Sequence, residues 1–199
     1  YKSNGTDTVL VKDIRTGSGS SQPYYLTVVN DKLYFYAYDG SSYRLYKSDG
    51  TEAGTVVVKQ LSSGLESTLS ANGLFFFVTN DGTHGKELWK SDGTESGTVM
   101  VKDINPNGHS YPSSLIAMNN IVYFKADDGV NGGELWKSDG TEAGTVMIKD
   151  IYPGTSEQEV EDFMTGSTSI QTYNNSGSPS HFTVLNGKLY FQATDATYG

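Results

Sequence analysis

The sequence predicts an all-β fold, a β-propeller-like array of four repeats of a four-stranded antiparallel blade, on three observations. One segment, Glu87-Leu-Trp-Lys-Ser-Asp-Gly-Thr-Glu-Ser-Gly-Thr-Val-Met-Val-Lys-Asp-Ile104, returns almost unchanged at residues 134–151, and weaker copies lie at 44–61 and 1–14. Self-similarity at a fixed period of roughly 45 residues marks a repeat architecture. The 23 glycines and 14 tyrosines, set against 5 prolines and 19% charged residues, fit a sheet protein with many tight turns. The apolar runs are short, alternating, and rich in β-branched or aromatic residues, as strands require.

The elements follow in order from that repeat. The pairs Asn30-Asp31, Asn72-Gly73, Asn119-Asn120 and Asn186-Gly187 separate two apolar runs in each unit. Residues of these types tolerate positive φ, so each pair is expected to form a two-residue type I′ hairpin. In the third complete unit the expected strands are A at 113–118, B at 121–126, C at 134–137 and D at 145–151. The B–C turn falls at 128–132 and the C–D turn at 138–141. The units are then 24–61, 67–104 and 113–151, with 1–14 and 181–199 as two parts of a fourth, all in a single repeat domain of residues 1–199. The A–B pair near the C-terminus is expected to complete a blade with the C–D pair near the N-terminus, closing the ring and removing both free edges. The rival expectation is a window on a longer array of repeats.

Composition narrows the function classes. The net charge is −9 with 14 basic residues scattered singly, so no positive field attracts a phosphate backbone and nucleic acid is not an expected partner. Absence of cysteine excludes disulfides, thiolate metal sites and cysteine nucleophiles. No apolar stretch approaches the ~20 residues that span a bilayer, so membrane insertion is not expected.

With the repeat on the page, the chain resembles the bacterial ELWxxDGT repeat family, named for the string found here at 87–94 and 134–141. It departs from that pattern at Arg44-Leu45-Tyr46 and at Asn4. The resemblance implies a large, secreted or surface-exposed repeat protein, and therefore an extracellular or cell-surface location, and it speaks to architecture more than to activity. A weaker likeness to the Asp-box turn of sialidase propellers implies that Asp49, Asp92 and Asp139 shape structural turns.

Four features are candidates for chemistry. Asp39, Asp81, Asp128 and Asp195 end the B strands and are expected to gather on one rim; calcium is their candidate ligand, against the reading that Asp-Gly turn chemistry explains them alone. Trp89, Trp136 and Tyr46 hold a fixed phase in strand C, which inter-sheet packing predicts better than a sugar platform. The connector 152–180 is longer than the others, and its Tyr152, Glu157, Glu159, Phe163 and Tyr173 are the candidate ligand-binding residues, with a short amphipathic helical turn expected around Val160, Phe163 and Met164. His84, His109 and His181 are far apart and differ in repeat phase, which suggests neither a metal cluster nor a catalytic triad. No cofactor is required by any motif. The leading expectation is a non-enzymatic binding or adhesion module that recognises a glycan or extracellular protein through one rim. The alternatives are a self-associating structural repeat of a surface layer, matrix or filament and, below it, a propeller-type glycoside hydrolase.

Overall fold

The computed structural model describes residues 1–162 and 167–198. It is all-β, with no helix among the described residues. A short hairpin of β1 (Lys2–Ser3) and β2 (Thr8–Val9) leads into three complete sheets. The first contains β3 (Tyr24–Val29), β4 (Lys32–Tyr38), β5 (Tyr43–Ser48) and β6 (Val56–Gln60). The second contains β7 (Glu66–Ala71), β8 (Leu74–Asn80), β9 (Lys86–Ser91) and β10 (Val99–Met100), and the third β11 (Ser113–Met118), β12 (Ile121–Asp127), β13 (Gly133–Ser138) and β14 (Val146–Lys149). A ribbon of β15 (Thr155–Asp162) and β16 (Ser167–Asn174) follows, then a hairpin of β17 (Ser180–Leu185) and β18 (Lys188–Gln192). Each complete sheet is an antiparallel meander in chain order.

Local chemistry accounts for the meander. Both residues of each A–B pair have positive φ, from 46° at Asn30 to 71° at Gly187, the geometry whose twist matches that of the flanking strands. A β-bulge recurs near the start of every A strand, with Tyr25, Ser67, Ser114 and His181 at positive φ. Such a bulge bends the strand and re-aims its first side chains.

The core lies between successive sheets. Tyr34, Tyr36, Leu45 and Val58 of the first sheet pack with Phe75 and Phe77 of the second. Phe76, Val78 and Leu88 of the second pack with Val122, Phe124 and Trp136 of the third. The inner strands β3, β7, β11 and β17 lie in one row. Lysines clip each unit to the next: Lys12, Lys59 and Lys102 donate through Nζ to the carbonyls of Thr55 (2.8 Å), Thr98 (2.9 Å) and Thr145 (3.0 Å). Lys2 and Lys90 likewise donate to the carbonyls of Gly50 (2.9 Å) and Gly140 (2.7 Å).

Two expectations change. The pairing of the first and last strands does not occur within this chain: β1–β2 and β17–β18 are separate two-stranded sheets. Lys2 and Lys12 fasten β1–β2 to the first sheet, whereas β17 lies against β11 of the third. The helical turn expected in the long connector is instead a β-ribbon, paired from Thr155↔Asn174 to Asp162↔Ser167. Alternation of Glu157, Glu159 and Glu161 with Ser156, Gln158 and Val160 has a period of two, and the Thr- and Ser-rich β16 gives it a partner with high strand propensity. Phe163 and Met164 lie outside the described residues.

Candidate rim cleft

The Ser-Asp-Gly-Thr loops between strands C and D are closed systems. In the second sheet the N–H and hydroxyl of Thr94 donate to Asp92 Oδ1 (2.8 and 2.7 Å), the Gly97 N–H donates to Thr94 Oγ1 (2.9 Å), and the Thr98 hydroxyl donates to the Thr94 carbonyl (2.6 Å). The same bonds recur around Asp49 and Asp139. The threonine hydroxyl and then its N–H hold all three aspartates below the usual carboxylate range. In these loops the aspartate Oδ1 and the threonine hydroxyl are both engaged within the turn itself.

The rim aspartates are employed in the same way. Asp39 Oδ1 accepts from the N–H groups of Ser41 (2.8 Å) and Ser42 (2.9 Å), while Oδ2 meets Arg44 Nε at 2.9 Å. Asp81 accepts from the N–H groups of Thr83 and His84 (both 2.8 Å), with His84 Nδ1 at 2.7 Å from Oδ2. Asp128 caps Val130 and Asn131, and Asp195 caps Thr197 and Tyr198. Each aspartate serves its own turn, and among the described residues no three His, Asp or Glu side chains gather as a metal-holding group.

These turns set an acid response. The Ser42 N–H, with help from Ser41, lowers Asp39 from 3.8 to about 2; partial burial works against Asp81, yet the His84 N–H and ring bring it to about 2 as well. A carboxyl group depressed by folding contributes stability that is full above its unfolded value and lost as the pH falls through its folded value. Urea midpoints are therefore expected to fall between pH 4 and pH 2, the window of these two groups, and to fall less in Asp39→Asn and Asp81→Asn.

Two glutamates, read from the sequence only as further rim carboxylates beside Asp81 and Asp128, hold the rim together. Glu87 is fully buried and accepts from three donors: the Ile104 N–H (3.1 Å), the Ser110 N–H (3.0 Å) and the Ser110 hydroxyl (2.5 Å). Glu134, equally buried, accepts from the N–H groups of Ile151 (2.9 Å) and Gly177 (2.5 Å). Each glutamate thus pins the end of its own sheet to the beginning of the next unit. Burial pushes both carboxyl groups up against the pull of these donors. In the first sheet Arg44 occupies the glutamate position, pairs in register with Gln60, and turns to Asp39 instead. The signal was present in the sequence as the first letter of the repeated string, but its partners lie 17, 23 and 43 residues away.

The B–C turn of the third sheet, the connector before β11 and the foot of the β15–β16 ribbon enclose a cleft of about 430 Å³. Tyr111 and Tyr173, about half exposed at 54% and 42%, line it together with Lys125, Asp127, Asn174 and Ser176. The ribbon is tied to the turn: Asn174 Nδ2 donates to the Gly129 carbonyl (3.1 Å), the Gly133 N–H donates to Ser176 Oγ (3.1 Å), and the Ser176 hydroxyl donates to the Gly133 carbonyl (3.0 Å). A neighbouring cleft of about 310 Å³ lies between the B–C turn of the second sheet and the connector before β11, and His84 and His109, distant in the sequence, both line it. The His109 and Tyr111 rings are 5.1 Å apart and lie between the two clefts.

Of the candidate ligand-binding residues, Tyr173 reaches the cleft. Glu157 and Glu159 are exposed and pair with Thr172 and Ile170, so alternation puts them on the opposite ribbon face from Tyr173. Tyr152 is half-buried beside Glu134, and Phe163 lies outside the described residues. Trp136 and Tyr46 belong to the core, and Trp89 packs on Phe77 with ring centroids 6.4 Å apart.

No family model matches the chain, and no curated protein is similar to it. Among solved structures it is similar to the crystal structure of a puromycin hydrolase mutant complexed with PGG, at 12% identity and a TM-score of 0.43, over 81% of this chain and 31% of that one.

Proposed function

We propose that this chain is a non-enzymatic recognition module whose three complete sheets are blades of a propeller-like array and whose rim cleft holds a glycan. The observation that carries the reading is the pairing of two exposed tyrosine rings, Tyr111 and Tyr173, with polar groups of both donor and acceptor type around one 430 Å³ cleft. A sugar offers an apolar face that stacks on an aromatic ring and hydroxyls that exchange hydrogen bonds with side chains such as Asn174, Ser176, Asp127 and Lys125. The cleft lining contains one carboxylate, Asp127, whereas glycoside hydrolysis takes two, which favours binding over turnover. The extracellular or surface setting is carried by the resemblance to ELWxxDGT repeats alone. A glycan array followed by calorimetric titration of the retained glycan tests the reading. Tyr111→Ala and Tyr173→Ala are each expected to weaken binding about tenfold or more, equivalent to ~1.4 kcal/mol or above. Unchanged affinity in both variants would move the site elsewhere.

A further inference from the structure

The smaller rim cleft holds two imidazoles that exceed what their turns require. His84 donates from Nδ1 to Asp81 Oδ2 at 2.7 Å. In the third sheet Asn131 takes the same place in the repeat, and its Nδ2 donates to Asp128 Oδ2, also at 2.7 Å. His109 Nδ1 accepts the Lys86 N–H at 2.8 Å, and one sheet later Ser176 Oγ accepts the Gly133 N–H at 3.1 Å. Asparagine and serine thus perform both structural tasks. What each histidine adds is a second ring nitrogen, and among the described residues neither Nε2 has a hydrogen-bond partner.

The bonds at Nδ1 decide what each Nε2 offers. An Nδ1 that accepts from a backbone N–H carries no proton, so the neutral His109 ring keeps its proton on Nε2 and presents a donor rather than a metal ligand. His84 has its proton on Nδ1 against the Asp81 carboxylate, so its Nε2 becomes a second donor when the ring is charged. The Asp81 hydrogen bond and charge raise the His84 pKa above 6.5, and Asp103 and Glu87 act in the same direction at longer range. His109 is the other titratable group lining the cleft. No carboxylate lines it, although the chain carries a net charge of −9. Gly85 makes room for the His109 ring: an added Cβ would stand 2.6 Å from Nδ1. That ring lies 5.1 Å from Tyr111 of the tyrosine cleft, so an oligosaccharide with one unit on Tyr111 brings its neighbour to the imidazoles.

We propose that the imidazole cleft binds the carboxylate of an acidic sugar unit, with His109 Nε2 and His84 Nε2 as donors, while the adjoining unit lies on Tyr111. The rim ligand is then an acidic oligosaccharide. A carboxylate accepts through two oxygens, and hydrogen bonds to a charged group are the strong ones. Continuity with the tyrosine cleft favours a sugar over an acidic peptide. The assignment rests on the glycan reading of the tyrosine cleft.

Calorimetric titration with tri-galacturonate and with its methyl ester, whose carboxyl groups carry no charge, tests it. At pH 6, below the raised His84 pKa, the acid is expected to bind about tenfold more tightly than the ester. The preference is expected to shrink as pH rises through that pKa, because the His84 Nε2 donor is lost while the ligand keeps its charge. In His84→Asn and His109→Ser, which copy the third sheet, the acid-to-ester affinity ratio is expected to fall towards one. The imidazole nitrogen signals of both histidines are expected to shift as tri-galacturonate is added. Tyr111→Ala is expected to weaken acid and ester alike; no change in either, with the acid preference and imidazole shifts intact, would support the carboxylate site and overturn the tyrosine reading. A ratio near one at pH 6, a ratio untouched by both histidine substitutions, or tri-glutamate bound as tightly as tri-galacturonate would each overturn the proposal.

Discussion

Glu87→Gln is expected to lower the unfolding free energy by about 2–4 kcal/mol, a large share of the 5–15 kcal/mol that holds a typical domain folded. The reason is polarity rather than size, since the two side chains are nearly isosteric. In the native site both carboxyl oxygens accept, Oε1 from the Ser110 N–H and Oε2 from the Ile104 N–H and the Ser110 hydroxyl. Glutamine offers one oxygen and one NH₂, so in either orientation a buried donor faces another donor. An unsatisfied buried polar group costs roughly 1–3 kcal/mol, and the arrangement of the Ser110 hydroxyl must change as well. Burial raises the Glu87 pKa, so its proton-linked contribution is full below the unfolded value and is lost as pH rises through the folded one. The Gln variant, which has no such titration, is expected to show a flatter stability profile through that raised range. Denaturant unfolding at several pH values checks both statements, and a Gln variant as stable as the parent would mean that Glu87 does not pin the second sheet to the third.

Gly132→Ala is expected to cost about 3 kcal/mol or more and to disrupt the rim cleft. Its φ of +70° already strains an L-residue, and the added Cβ would stand 2.0 Å from the Asn175 carbonyl oxygen. That obstacle is backbone, which cannot swing aside as a flexible side chain does. Either the turn or the foot of the ribbon must move, and with it the tie between Asn174 and Gly129. Gly82 provides the control: its φ is +87° but nothing lies within 4 Å of the added Cβ, so Gly82→Ala should cost only the backbone strain of ~1–2 kcal/mol. Thermal unfolding of the two variants checks the difference, and equal losses would show that the close approach at Gly132 contributes nothing.

The difference between what was legible in the sequence and what was not follows from how far each determinant acts along the chain. Strand A of the third sheet, the Asn119-Asn120 turn and the Ser-Asp-Gly-Thr loops depend on φ preferences and on side chains bonding their own backbone two to four residues away. Such signals survive in a linear reading. Glu134 was legible as part of a repeated string but not as a clip, because Gly177 meets it only after the entire long connector has folded back. His84 and His109 looked remote for the same reason; the Lys86 N–H donating to His109 Nδ1 (2.8 Å) and the close seating of Gly85 against the Gly108 carbonyl bring their loops together. The β15–β16 ribbon was misread because a few apolar residues among glutamates mimic a helical face when the β-forming partner strand is ignored. Tyr173 was legible as a ligand-binding candidate, while the companions Tyr111 and Asn174 required knowing which connector faces which turn.

The central claim, that the cleft between Tyr111 and Tyr173 is the recognition site, is tested most directly by mapping backbone amide shifts as a retained glycan is titrated into the isotope-labelled chain. The account predicts perturbations grouped at 109–112, 125–133 and 173–177. Shifts confined instead to the Glu157 and Glu159 face of the ribbon, or to the β1–β2 hairpin, would contradict it.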